Sequence, residues 1–278
     1  MTQGLIDIGA NLLSEQFDAD RDAVLTRAQI EGLEHIIITA SNLATVSRIV
    51  DFIEANRYRK DWPILHATAG IHPHEAAEAM PGFETTIADW LRHERVVSSG
   101  EAGLDYHRNF SPREAQRRVF AAQIELARTS RMPLFVHDRD SGGETLELLE
   151  RGAINPAQVV IHCFTGSADE LDRYLAAGFL IGITGWVCDR RRGETLRSLV
   201  PRIPPERLLI ETDAPYLLPH DLPKTRRPSN GRRNEPATLG HIAATLAQLL
   251  QMEPSTLIAQ TRANALRFFN LSDARSVA

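Results

Sequence analysis

Seven carboxylates and imidazoles stand at or just after apolar runs in this chain: Asp7, His72, His74, Glu101, His137, His162 and Asp213. These are the groups a divalent cation takes from a protein. Carboxylate oxygens offset its charge, neutral imidazole nitrogens donate lone pairs, and the remaining positions stay open for water and substrate. No single residue carries the argument, because an isolated histidine after an apolar run is more often a satisfied core residue. His72-Pro73-His74 taken alone reads as a polar turn. The joint occurrence changes this, since burying Glu101, His137, His162 and Asp213 without a cation would be costly. The chemistry they permit is hydrolysis by a metal-activated water. Glu101, His137, His162 and Asp213, with Asp7 at the first strand, are the expected metal ligands. Asp213 would also orient the water or accept its proton. His72 or His74 and the Arg232-Arg233 pair would offset charge on the oxygens of a phosphoryl group. Asp213, Glu101 and His72 are thus the expected catalytic residues.

Such residues work only if a scaffold brings them together. Eight short segments read as strands: Gly4 to Ile8, His35 to Ala40, Leu65 to Gly70, Val96 to Gly100, Pro133 to Val136, Gln158 to Ile161, Phe179 to Ile183 and Leu208 to Glu211. Most lack polar alternation, the pattern of strands buried on both faces of a parallel sheet. Their starts recur every 21 to 37 residues, room each time for a loop and a crossover helix. Glu114 to Arg131 reads as one such helix, stopped ahead of Pro133, and Ala168 to Ala177 as another, ended by Gly178. In 278 residues this alternation predicts an α/β chain folded as a single (β/α)8 barrel over 1–271. Helices over Pro236 to Leu250 and Pro254 to Phe269 would close its outside, and 272–278 would be a tail. Barrel enzymes keep their chemistry at the C-terminal ends of the strands, where the candidate ligands fall.

Charge is unevenly spread. Thirty-one Lys and Arg against thirty-six Asp and Glu give a net charge of −5, with 43% of residues hydrophobic and 24% charged. That fits a soluble globular protein and excludes disorder and collagen-like repeats. No apolar run approaches the roughly 18 residues of a transmembrane helix. The start, MTQGLIDIGANLL, shows no secretory signal, so a cytoplasmic, monomeric enzyme without a membrane partner is expected. Cys163 and Cys188 are too few for a disulfide framework and read as buried free thiols. Against the acidic balance, residues 219–234, PHDLPKTRRPSNGRRN, form a loop with five basic residues and one aspartate. The run after the seventh strand adds Trp186 and Arg190, Arg191 and Arg192. An aromatic platform beside arginines is how single-stranded nucleic acid is held. The expected nucleic-acid contacts are His74, Tyr106, Trp186, Arg190, Arg191, Arg232 and Arg233, with Asp105 supporting the ligands from the same loop as Tyr106.

The motifs as a group resemble the TatD-type metal-dependent deoxyribonuclease family, from near the first residue to about Leu271. The stretches that carry the resemblance are IDIGANL (6–12), GIHPHE (70–75), GEAGLDYHRNFS (100–111), MPLFVHDRD (132–140), VVIHCFTGS (159–167), GITGWVCDRRRG (182–193), LLIETDAPYLLP (208–219) and RRNEP (232–236). The resemblance implies a barrel of the metal-dependent hydrolase kind, hydrolysis of nucleic-acid phosphodiesters in DNA repair, and metal-ligand roles for Glu101, His137, His162 and Asp213. Many family members begin with Asp-x-His-x-His on the first strand, whereas Gly9 and Asn11 stand at those histidine positions here. Gly9 offers no ligand and Asn11 only an amide oxygen, which suits Mg²⁺ or Ca²⁺ better than Zn²⁺. This form is similar to the subgroup described as 3′-to-5′ exonucleases on single-stranded DNA and RNA. The expected cofactor is therefore a divalent cation, Mg²⁺, recruited partly by substrate phosphate. Two other functions compete. A metal-dependent amidohydrolase acting on a small cyclic amide or ester would use the same barrel and ligands, but such a substrate does not require the basic loops. A non-catalytic nucleic-acid-binding barrel would account for the missing histidines, but has no use for Glu101, His137, His162 and Asp213.

Overall fold

The computed structural model describes residues 4–228 and 231–273. Strands β1 (Leu5–Ala10), β2 (Leu33–Ile38), β3 (Ile64–Ala69), β4 (Val96–Asp105), β5 (Leu134–Arg139), β6 (Val159–Ile161), β7 (Leu180–Ile183) and β8 (Leu208–Ile210) form one eight-stranded sheet in sequential order. The pairs β1–β2, β3–β4, β4–β5, β5–β6 and β7–β8 run parallel. A parallel bridge from Ala10 to Ala214 joins the end of β1 to the segment after β8. This is the strand order of a (β/α)8 barrel, the expected class. Strands β1, β4, β6, β7 and β8 are buried along their whole length, as runs without polar alternation require.

Between the strands lie α1 (Arg21–Ile30), α2 (Leu43–Ala55), α3 (Phe83–Trp90), α4 (Arg113–Ser130), α5 (Glu144–Arg151), α6 (Ala168–Ala177) and α7 (Glu194–Leu199), followed by α8 (Leu239–Leu249) and α9 (Pro254–Phe268). Helix α6 shows why these boundaries form. Ser167 and Glu170 close a capping box at its start, and Gly178, at φ +96°, accepts the left-handed turn that ends it. Pro236–Thr238 is a 3-10 turn ahead of α8 rather than its first turn. Residues 229–230 of the basic loop and 274–278 of the expected tail lie outside the described residues. No helix among the described residues is long and apolar enough to cross a membrane.

Contacts group the chain into two compact units. One comprises Met1–Ile38, Arg57–Leu65 and Ile181–Ala278, the other Thr39–Asn56 and His66–Leu180. In the second unit α4 packs on β4 and buries Gln116, Val119, Phe120, Gln123, Ile124 and Ala127. In the first, Asn264 of α9 donates to the Pro205 and Leu208 carbonyls and anchors that helix to the start of β8.

Two strands run further than their composition predicts. β4 ends at Asp105 and β5 at Arg139, beyond Gly100 and Val136. Polar residues there read as loop, yet their backbones still pair: Gly103 with His137, Leu104 with Asp138, Asp105 with Arg139. Strand pairing overrides local composition. Cys188 is buried as expected, whereas Cys163 is half-buried.

Candidate metal centre and active site

In the unit of His66–Leu180, three imidazole nitrogens converge on one carboxylate oxygen. His72 Nε2, His137 Nδ1 and His162 Nε2 lie 3.2, 3.1 and 2.7 Å from Glu101 Oε1. Each is placed by backbone. Glu101 N donates to the Ala40 carbonyl and His72 N to that of Ser41. His162 continues from β6 with its amide on the Val136 carbonyl and its ring stacked on Phe135, 4.5 Å between centroids. The His72-Pro73-His74 turn read from the sequence forms, with His72 capping the 3-10 turn Pro73–Glu78. His72 Nδ1 accepts the His74 amide, 3.1 Å, which leaves Nε2 facing Glu101.

Successive residues of a strand point to opposite faces, so Glu101, Gly103 and Asp105 share one. Gly103 sits opposite His137. Asp105 extends the array: Oδ2 meets His74 Nε2 at 2.6 Å, and Oδ1 accepts the Arg108 amide at 2.8 Å. Two buried glutamines of α4, absent from the sequence reading, hold the surrounding backbone. Gln116 accepts from the Asp105 amide and donates to the Asp105 and Ser111 carbonyls. Gln123 grips both the amide and the carbonyl of Ile71. Their signal was present as two polar residues seven apart on the inward stripe of an amphipathic helix.

A Cβ on Gly103, which has φ +144°, would lie 1.9 Å from the His137 carbonyl oxygen. Gly103→Ala should therefore push β5 away, cost about 2–5 kcal/mol from overpacking and backbone strain, and abolish metal retention. Gly82→Ala, where a Cβ at φ +87° meets nothing within 4 Å, carries strain alone and should cost about 1 kcal/mol. Urea denaturation of both variants measures the difference, and equal losses would remove the steric argument.

The electrostatics favour charge at this point. Burial opposes ionisation of Glu101, but His162, His72 and His137 outweigh it and hold the carboxyl well below its usual range. Burial would lower the pKa of His137, yet the Asp105 and Glu101 carboxylates raise it to about 9. Burial lowers that of His72. Ligand atoms of His72, Glu101 and His137 all lie within 4.8 Å of one another. His137 Nε2 is buried with no hydrogen-bond partner, although Asp105 Oδ2 is only 3.3 Å away in poor alignment. Three imidazoles and a carboxylate gathered on one point are a mixed donor set that fits a divalent cation.

Asp7 and Asp213 belong to the other unit. Asp213 follows β8 in the left-handed region, at φ +53°. Its amide donates to the Gly9 carbonyl, and its Oδ1 accepts from Asn11 Nδ2 at 3.1 Å. Asn11, read as an oxygen donor, thus turns its amide nitrogen to this carboxylate. Asp7 is fully buried, and its oxygens accept from the Gly9 amide and from the amide and hydroxyl of Thr212. That set of donors makes Asp7 a brace for the turn carrying Asp213, where the sequence reading made it a ligand.

Burial pushes the Asp7 carboxyl up to about 7 against those hydrogen bonds. With the folded value above the unfolded one, its stabilising contribution is complete below pH about 4 and lost as pH rises to about 7. Asp7→Asn removes this loss. In chelator, the variant should gain about 2–4 kcal/mol on wild type between pH 4 and 8, and a constant difference across that range would contradict the assignment.

The expected nucleic-acid contacts divide sharply. Arg190, Arg191 and Arg232 are exposed. Trp186 is half-buried, with the Arg192 guanidinium 4.9 Å above its ring. His74 is 26% exposed. Two expectations change. Arg233 is buried, with one guanidinium nitrogen on Asp20 and the Gln16 carbonyl and the other on Asp20 and Glu235. Its charge is committed to the fold, so it is withdrawn from phosphate contact. Tyr106 donates its hydroxyl to Glu144 and carries the Arg113 guanidinium 4.2 Å over its ring, so one face is already covered. Phe110, which the sequence reading passed over, is 66% exposed, with its ring 4.7 Å from that of His74.

The sequence matches the family described as TatD related DNase over residues 6–270. It is 44% identical over 268 residues to the 3′-5′ ssDNA/RNA exonuclease TatD of Escherichia coli, covering 96% of this chain and all of that one. It is 45% identical to the protein of that name from Klebsiella pneumoniae, over 96% and 98% of the two chains. A TatD family hydrolase from Entamoeba histolytica superposes with a TM-score of 0.85 at 28% identity, over 96% of this chain and 98% of that one. A TatD homologue from Escherichia coli superposes with the same score at 25% identity, over 98% and 100%. Motifs, strand order and full-length similarity agree, and the chain belongs to the TatD-related DNase family.

Proposed function

We propose that this protein is a divalent-metal-dependent nuclease that shortens single-stranded DNA or RNA from the 3′ end. The observation that carries the reading is the convergence of His72, His137 and His162 on one Glu101 oxygen, in a chain whose relatives are named 3′-5′ ssDNA/RNA exonucleases. Glu101, His137 and His162 would hold the ion, with His72 beside them. Asp213, assigned by its motif after β8, is proposed as an oxygen ligand and as the group that takes the proton of the attacking water. When bound, the cation supplies Lewis acidity to the water and to the phosphoryl group. His74, fixed by Asp105 and partly exposed, would donate to a phosphate oxygen. Phe110 would stack on a base beside it, and the exposed Arg190, Arg191 and Arg232 would attract the backbone.

Mg²⁺ is the ion proposed because Gly9 and Asn11 leave the first strand without imidazole ligands. The three-imidazole set supports a second reading, Zn²⁺, since imidazole suits borderline ions. One experiment addresses both function and ion: digestion of a 3′-labelled and a 5′-labelled single strand by metal-stripped protein given Mg²⁺ or Zn²⁺. The 3′ label should leave first, as mononucleotide, with Mg²⁺ giving the faster rate. Simultaneous loss from both ends, or no loss with either ion, would refute an exonuclease acting from the 3′ end.

A further inference from the structure

A second group of ligand-bearing side chains meets within Ile181–Ala278. Cys188 ends the 3-10 turn Gly185–Cys188 after β7, Asp221 stands in the loop after β8, and His241 lies in the first turn of α8. A sulfur, a carboxylate oxygen and an imidazole nitrogen from these three all fall within 4.8 Å of one another. His241 Nε2 is 2.7 Å from Asp221 Oδ1. Cys188 is fully buried, while Asp221 and His241 keep 26% and 18% of their side chains exposed, which leaves an approach from solvent. We propose that Cys188, Asp221 and His241 form a second metal centre that takes a thiophilic divalent ion of the zinc class, with water in the fourth position.

The donor set selects the ion. Thiolate, imidazole and carboxylate are the three ligand types of zinc, whereas Mg²⁺ seeks oxygen. The charges also balance, because one thiolate and one carboxylate neutralise a divalent cation and the filled site buries no net charge. The three segments are already in register. A Cβ on Gly185 would lie 2.3 Å from the Leu217 carbonyl oxygen and 3.2 Å from the Pro219 ring, so the Cys188 turn and the segment leading to Asp221 touch backbone to backbone. Arg227 donates to the His220 and Leu222 carbonyls on either side of Asp221. Thr245 accepts from Cys188 Sγ at 3.5 Å and donates to the His241 carbonyl. Little ordering remains for an ion to impose.

Burial pushes the Cys188 thiol up to about 12, so the metal-free chain keeps it protonated at neutral pH. On binding, the S–H bond breaks, a sulfur–metal bond forms, and the proton leaves to water, which makes affinity rise with pH. The ion would tie α8 to the loop that bears exposed Lys224, Arg226 and Arg227. It would thus fix the strongest positive segment of an acidic protein.

Co²⁺ added to the metal-stripped protein tests this. A sulfur-to-cobalt charge-transfer band should appear, saturate at one ion per chain, and be displaced by Zn²⁺. The band should persist in Glu101→Ala and in Cys163→Ser, which separates it from the histidine cluster and from the other thiol. It should be lost in Cys188→Ser. His241→Gln, which leaves the thiol in place, should weaken the Co²⁺ affinity read from the band by about 10–100-fold. If Cys188→Ser does not fold by circular dichroism, His241→Gln decides by that shift. Absence of the band in the folded wild type, its survival in Cys188→Ser, or an unchanged affinity in His241→Gln would overturn the proposal.

Discussion

Glu101→Gln should slow 3′-end digestion by about 10²–10³-fold while the chain stays folded. Glutamine has the shape of glutamate, and the Glu101 amide that holds β4 to the Ala40 carbonyl is unaffected. What disappears is the anion shared by His72, His137 and His162. A neutral amide binds a divalent cation weakly and cannot balance its charge. The substitution also has a readout independent of turnover. Asp105 and Glu101 hold the His137 pKa at about 9, so Glu101→Gln should bring it down in an NMR titration of the metal-free protein. In wild type the entering cation displaces that proton, so affinity should climb with pH up to about 9 and then level off. Wild-type digestion by the variant would remove Glu101 from the centre, and an unmoved His137 titration would remove the electrostatic argument.

Arg233→Ala should cost about 3–5 kcal/mol of stability, whereas its neighbour Arg232→Ala should cost less than about 0.5. Arg233 spans Asp20 and Glu235 with three hydrogen bonds of 2.6 to 2.8 Å, makes a fourth of 2.7 Å to the Gln16 carbonyl, and lies over the Phe17 ring. Glu235 is itself buried and also receives Arg27 at 2.9 Å from two nitrogens. Removing Arg233 leaves carboxylates without a full set of donors, the costly half of a broken buried pair. Arg232 is exposed, and its loss should be felt by substrate instead: the slope of log binding constant against log salt should flatten by about one unit. Urea denaturation and salt-dependent binding, run on both variants, would exchange the two assignments if the effects came out reversed.

That pair marks the boundary of what one sequence reveals. Two adjacent arginines in a basic loop have the same local signature. Their fates diverge because Asp20, more than two hundred positions away, captures one of them. The same holds for Tyr106 and Phe110. Tyr106 looks like a stacking platform until Arg113 and Glu144 take its face and hydroxyl. Phe110 is left exposed. Strand number, strand order and the Glu101, His137, His162 cluster were legible, because apolar runs of regular spacing and polar residues at their ends report backbone placement directly. The lengths of β4 and β5 were not, since their final residues are polar and pair all the same. Gln116 and Gln123 were visible only as polar interruptions of an apolar stripe, which carries no hint of what they hold.

Those two glutamines have a mechanical consequence. Seven residues of helix at about 1.5 Å rise separate them by about 10 Å, and each grips main chain rather than a side chain. Helix α4 therefore works as a caliper whose jaws fix the distance between the Ile71 and Asp105 segments, and with it the span across which His72 and His74 face their carboxylates. Inserting one residue between the jaws would misalign both ends at once, even though no ligand had been touched.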